Sequence, residues 1–181
     1  MSNIEALVAV QVLGEVTSKK GLLWEKIAQF QSQIEEIEGV LTHKAGETQS
    51  DGLKKLAPLK HNFEGGLYTR AMFMPKGSII VSMIHKQQHP SFLLKGEVSY
   101  LTDEGEVKRI KAPHTVFTQE GTQRVFYVHQ ESIWTCVYKT DATTVEDAEL
   151  DIYVDKYVEL PQEIINKNKK LCQEQQSLLQ E

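Results

Sequence analysis

An antiparallel β-barrel or sandwich flanked by two helices is the fold this sequence predicts, and three observations predict it. From about 67 to 140 the chain breaks into short runs rich in Val, Ile, Phe and Tyr, separated by the turn signals "PKG", "DEG" and "QEG". Ahead of this region Leu23, Ile27, Phe30, Ile34, Ile37 and Leu41 recur at alternating intervals of four and three. That is the spacing of one apolar helix stripe, and it predicts a helix over about 18–41. Behind it, Pro161 suits the first turn of a helix, and Ile164, Leu171 and Leu178 follow seven residues apart in an otherwise polar stretch. No alternation of strand and helix marks the middle of the chain, which argues against a parallel sheet.

Each element has its own signals. Residues 2–5, "SNIE", fit a capping box, while Val8, Val10 and Val12 alternate as in a strand, so the first segment is open between helix and strand. Gly39 and the polar stretch 42–52 read as a helix end followed by a mobile connection. "KGEVSYLTDEGEVKRI" reads as a hairpin whose turn explains Glu97 and Glu106 without chemistry. Trp134 and Cys136 alternate on one strand face as core residues do, and Cys136 has no adjacent base to activate it. The organisation expected is an N-terminal helical segment and linker over 1–52, a β-barrel domain over 53–160 and a C-terminal helix over 161–181.

Composition narrows the partners. The chain has 181 residues, a formal charge of −5 and two cysteines, Cys136 and Cys172, in different segments with no CxxC. No broad basic surface is available, so neither nucleic acid nor a membrane is an expected partner. The cysteines read as free thiols of a reducing compartment. The most apolar stretch, 6–13, is too short to span a bilayer and lacks a basic leader, so the expected location is the cytoplasm. His61 and His114 are lone histidines near turns, and no phosphate loop, nucleophile elbow or paired-carboxylate arrangement is present.

One stretch carries more. "GSIIVSMIHKQQHPSFLLKG", from Gly77 to Gly96, resembles the first motif of the cupin family, with Gly77, Met83, His85, His89 and Gly96 at the motif's intervals. The second motif falls on Pro113, Gln119, Gly121, Arg124 and Val128, where the turn glycine is kept and Arg124 replaces the expected histidine. The resemblance covers about 67–140 and implies a cupin-type jelly roll with a pocket between its central strands. "GLYTRAMFMPKGSIIVSMIHK", "KAPH" and "EGTQRVFYVH" are also similar to small cupin-like proteins of tailed bacteriophages. That likeness would place the protein in a host cytoplasm or a virion.

The resemblance implies a set of site residues. In metal cupins, imidazoles and a carboxylate hold one divalent ion such as Fe, Mn, Ni or Zn with positions left open for substrate. Here Met83 and Arg124 stand where two ligands are expected and His89 stands in place of the carboxylate, so His85 and His89 are the candidate ligands. Regular alternation puts 83, 85, 87 and 89 on one strand face. His129 is a third metal candidate that only a bulge would bring to that face. Met83, Gln87 and Arg124 are candidate ligand-binding residues. Three readings stand for His85 and His89: metal ligands, direct recognition of an anionic or polar molecule, or hydrogen-bonded barrel residues with no functional task. For Arg124 two stand, capture of a ligand carboxylate or phosphate, or pairing with a protein acid.

Two function classes follow. One is a cupin pocket that binds a small molecule, with or without a metal. The other is a noncatalytic phage accessory or virion-associated assembly protein that uses the barrel as scaffold. The helix stripe from Leu23 to Leu41 also offers a surface for self-association, so a homo-oligomer is expected.

Overall fold

The computed structural model describes residues 11–17 and 22–178, with side chains through residue 170. Residues 11–17 are helical (α1), followed by α2 (Leu23–Glu35) and α3 (Asp51–Leu56). The strands then run β1 (Leu59–Glu64), β2 (Leu67–Met74), β3 (Ile79–Val81), β4 (Ile84–His85), β5 (His89–Leu101), β6 (Val107–Lys111), β7 (His114–Thr118) and β8 (Val125–Lys139). The chain closes with α4 (Val145–Ile152), β9 (Tyr153–Val154), a short 3₁₀ turn (Tyr157–Glu159) and α5 (Gln162–Leu178).

Two strands are long, against the uniformly short strands expected: β5 has 13 residues and β8 has 15. They pair antiparallel with each other, and each serves two sets of neighbours. The C-terminal half of β8 pairs with β2, which carries β1, and its N-terminal half pairs with β3. The first half of β5 pairs with β7 and the second with β6. Register shifts between Leu93 and Val98 bend the β5–β8 ribbon in the middle. Tyr100 and Phe126 from one half of the bent sheet then reach Trp134 in the other, and Phe126 meets Trp134 edge-on with ring centroids 5.0 Å apart. The result is a mainly antiparallel architecture of jelly-roll type with flanking helices.

The bend rests on Gly96. Its φ is +88°, in the left-handed region that side chains disfavour. Glu131 and Ser132 of β8 approach it so closely that an added Cβ would collide with the Glu131 carbonyl oxygen and the Ser132 hydroxyl. Ser132 in turn accepts from the Glu97 N–H at 3.2 Å and donates to the Gln130 carbonyl at 2.7 Å, closing the bulge.

The helices cover the sheet where the apolar pattern requires. Ile27 and Phe30 of α2 are buried with Leu13, Val16, Leu101 and Val125, each such burial contributing about 1.5–3 kcal/mol. The centre of the expected stripe is therefore intrachain core rather than a self-association surface. The helix also stops at Glu35, not Leu41, leaving Ile37 and Leu41 beyond it and exposed. Ile164 of α5 packs on Ile84, Val154 and Leu160. The readings at residues 2–12 fall mainly on residues 1–10, outside the described residues, as do residues 18–21 and the side chains of Leu171, Cys172 and Leu178.

The 42–52 stretch is pinned rather than mobile. His43 Nε2 lies 3.0 Å from Glu149 Oε2, the Ala45 N–H donates to Asp155 at 3.2 Å, and Gly46 lies against Leu150. Ser50, accepting from the Leu53 N–H, caps α3. The "DEG" hairpin forms as expected, with Glu97 buried and bonded to Arg109 at 2.7 Å. Among the described residues no helix is long and apolar enough to cross a membrane.

Gly96→Ala is expected to cost about 3 kcal/mol of unfolding free energy, from backbone strain and collision together. Gly77→Ala, with a φ of +81° but open space around it, is expected to cost only about 1 kcal/mol. Urea denaturation of the two variants checks the difference.

Candidate functional site

A cavity of about 360 Å³ lies between the bent sheet and the segment that runs from the end of α2 through α3. Met83, His85 and Arg124, distant in sequence, converge on its wall with Ser91 and Thr118. Arg124 immediately precedes β8, and its backbone is held from both sides by Ser82. Its N–H donates to the Ser82 hydroxyl and its carbonyl accepts from the Ser82 N–H, both at 2.9 Å.

Arg124 is only 4% exposed. Nη1 donates to Thr118 Oγ1 at 2.8 Å, and the group lies 5.5 Å from the Tyr100 ring centroid. Nε is buried with no hydrogen-bond partner. Among the described residues no carboxylate forms an ion pair with it; a buried ion pair goes to Arg70 instead. Thr118 Oγ1 continues to Ser91 Oγ at 3.0 Å, and beyond ion-pair distance stands Asp103, whose carboxyl pKa burial raises and the Arg124 charge in part lowers.

The histidines sit beside this group, though not as a regular strand would place them. The chain breaks between β4 and β5: β4 pairs with β9, and Gln87 turns away to donate to the Lys139 carbonyl at 3.3 Å. The expected common face of residues 83–89 is thereby corrected, and Gln87 is not on the cavity wall. His85 is on that wall, and its Nδ1 lies 3.2 Å from the Tyr138 hydroxyl, which meets the Tyr153 hydroxyl at 2.8 Å. His89 packs behind it, the rings tilted by 38° with centroids 4.5 Å apart. His89 Nδ1 donates to the Gln87 carbonyl at 3.0 Å, which leaves Nε2 as a buried lone pair without a partner.

Both imidazoles are neutral. Burial, then His89 and the Arg124 charge, hold the His85 pKa well below its ordinary value. For His89 burial is again the main cause; the hydrogen bond to the Gln87 carbonyl raises the pKa in part and the Arg124 charge lowers it, to about 4.

His129 does not join them. Although the ribbon is bulged nearby, its Nε2 is hydrogen-bonded to the Ser99 hydroxyl at 2.7 Å and its ring packs edge-on against Tyr127. Two neighbouring imidazoles and a permanent guanidinium do not fit a divalent cation. Among the described residues no three His, Cys, Asp or Glu side chains come together to hold one. The unpartnered His89 Nε2 suits a metal, and one nitrogen does not make a site.

A second buried cation was not anticipated. Arg70 of β2 lies 3.3 Å from Glu149 of α4, which also meets His43. Burial raises the Glu149 pKa, but the His43 hydrogen bond and the Arg70 charge outweigh it and leave the carboxyl below its ordinary value. Arg70 is therefore neutralised within the protein, whereas Arg124 is not. Alternation from Tyr68 places Arg70 inward, a signal present in "LYTRAMFM". The helix carrying Glu149 was signalled only by Thr144 capping Asp147.

No protein-family model matches the chain, and no curated protein does. Among solved structures it is similar to the cupin domain of an XRE family transcriptional regulator from Enterobacter cloacae, at 12% identity and a TM-score of 0.40, over 48% of this chain and 98% of that one. It is also similar to KdgF from Halomonas sp., at 11% identity and a TM-score of 0.41, over 48% and 82%. For the EutQ protein of Clostridium difficile the figures are 18% and 0.39, over 48% and 70%. In each case the shared part is under half of this chain.

The depressed histidines set a pH dependence. Above pH 6.5 His89 is neutral in folded and unfolded chains alike. As pH falls from 6.5 to about 4 the unfolded chain takes up a proton that the folded one refuses, so stability is lost across that window, by on the order of 3 kcal/mol for His89. His85 acts in the same direction. Urea denaturation at steps of pH is expected to show the loss, and His89→Gln to flatten it.

Proposed function

We propose that the chain is a cupin-fold small-molecule-binding protein whose cavity captures an organic anion on Arg124. One observation carries this reading: a guanidinium withdrawn from water whose side-chain partners are a hydroxyl and a ring face. Taking such a charge out of water costs several kcal/mol, and neutral partners offset little of it. A ligand carboxylate accepting two parallel N–H bonds completes the environment, and the fork of the guanidinium matches that geometry. Thr118 stands within reach to orient the same group. His85, neutral on the cavity wall, contributes a hydrogen bond and no charge.

Binding is what these groups support. Among the described residues the donor set does not fit a metal. A barrel serving only as a scaffold for assembly has no use for an uncompensated buried charge, and this distinguishes it from the binding reading.

Trp134 lines the cavity, so its fluorescence is a direct readout. Titration with acetate, hexanoate and benzoate is expected to give saturable binding for at least one of them, weakened about tenfold or more in Arg124→Gln through loss of a charge-assisted bond. The ligand-free variant is expected to be no less stable than the wild type, since a buried charge has been removed. Equal binding by wild type and variant, or no saturable binding of any of the three, overturns the proposal.

A further inference from the structure

The cavity joins a buried polar corner to a wide apolar lining that includes Met72, Ile80, Phe126 and Trp134. On the strand side stand Arg124, Thr118, Ser91 and His85. The covering segment presents Ile34 from α2, Val40 and Leu41 from the loop after it, and Leu53 and Leu56 from α3, with Glu35, Thr42 and Gln49 among them. Val40, Leu41 and Leu56 are 38%, 41% and 52% exposed. Large aliphatic side chains gathered around one cavity and left partly in water are unfavourable unless something apolar covers them.

Charge limits what can occupy the other side. Arg70 is committed to Glu149 and both imidazoles are neutral, so among the described residues Arg124 is the cavity's buried cation without an ion pair, while Glu35, a carboxylate on the covering side, accepts from Gln31. A dianionic phosphate would bring a second negative charge into a low-dielectric site with nothing to meet it. A single carboxylate matches.

We infer that the ligand is an amphipathic monocarboxylate, its carboxylate on Arg124 and its hydrocarbon chain lying beneath the cover formed by Ile34, Val40, Leu41, Leu53 and Leu56. This rests on the reading of Arg124 as an anion-binding group and extends it to the class of molecule bound. The volume of about 360 Å³ lies toward the small end of ligand cavities, which run from ~300 to 1,000 Å³. A short or medium aliphatic chain fits, and a long one extends past the open rim.

Calorimetric titration of the whole chain with straight-chain carboxylates from butanoate to decanoate, the matching primary alcohols and the matching alkyl phosphates tests this. Carboxylate affinity is expected to rise about three- to fourfold per added methylene until the cavity is filled. The alcohol of equal length should bind about tenfold more weakly or worse. Arg124→Gln should bring carboxylates down to the level of the alcohols while keeping the dependence on chain length. Leu41→Ser with Leu53→Ser should flatten that dependence and leave butanoate binding intact.

Carboxylates that bind through Arg124 with no dependence on length overturn the apolar-chain inference and leave the anion reading standing. Alcohols that bind as well as carboxylates, with the length dependence intact, overturn the anion reading. Alkyl phosphates that bind more tightly than carboxylates overturn the monocarboxylate assignment. Absence of binding by all three series overturns both readings.

Discussion

The pairing of β5 with β8 holds the structure in register, and the contact of Gly96 with Glu131 and Ser132 is its tightest point. Side chains alternate along a strand, so a slip of one residue would exchange the inner and outer faces of both. Ser91 opposite Cys136 and Tyr100 opposite Phe126 mark the two ends of the pairing, one on each side of the bulge. The site inherits this register. Ser91 lies on β5, Thr118 ends the strand paired with its first half, and Arg124 leads directly into β8. The cavity polar groups are thus placed by backbone hydrogen bonding before any of them touches another.

The protein treats its two inward arginines differently. Arg70 is balanced by Glu149, itself tied to His43, so a cation from the sheet, an anion from α4 and an imidazole from the covering segment form one closed set. Burial holds the hydroxyls nearby in their neutral form; that of Tyr153 is raised to about 12, with burial the main cause. Among the described residues Arg124 has no ion pair, and Asp103 acts on it only from a greater distance. The contrast makes its isolation informative, because the fold evidently can supply a carboxylate to a buried guanidinium.

Much of this was legible in the sequence. The turn signals and apolar runs gave the antiparallel architecture, and the stripe gave α2, because both depend on local periodicity. The motif spacing brought Met83, His85 and Arg124 together across forty residues, since intervals between glycines fix where the strands turn. What failed depended on contacts beyond the local pattern. Gln87 left the expected face because β4 found its partner in β9, over sixty residues away in the chain. Leu41 continues the helical spacing past the helix itself, so periodicity placed it in α2 while it lies on the cavity. Nothing in the local pattern singles out Glu149, and only the fold brings Arg70 to it.

The segment between α2 and β1 belongs to no sheet, yet it supplies much of the apolar surface of the cavity and is fastened through His43, Ala45 and Gly46 to α4 and the residues just after it. Scaffold and selectivity are consequently encoded in separate stretches of the chain. The bent ribbon must keep its register and so tolerates little change, while the cover can alter its side chains without disturbing a single strand pair. In evolutionary terms one barrel could be refitted to ligands of different shape by drift confined to about twenty residues, a region short enough to exchange as a unit.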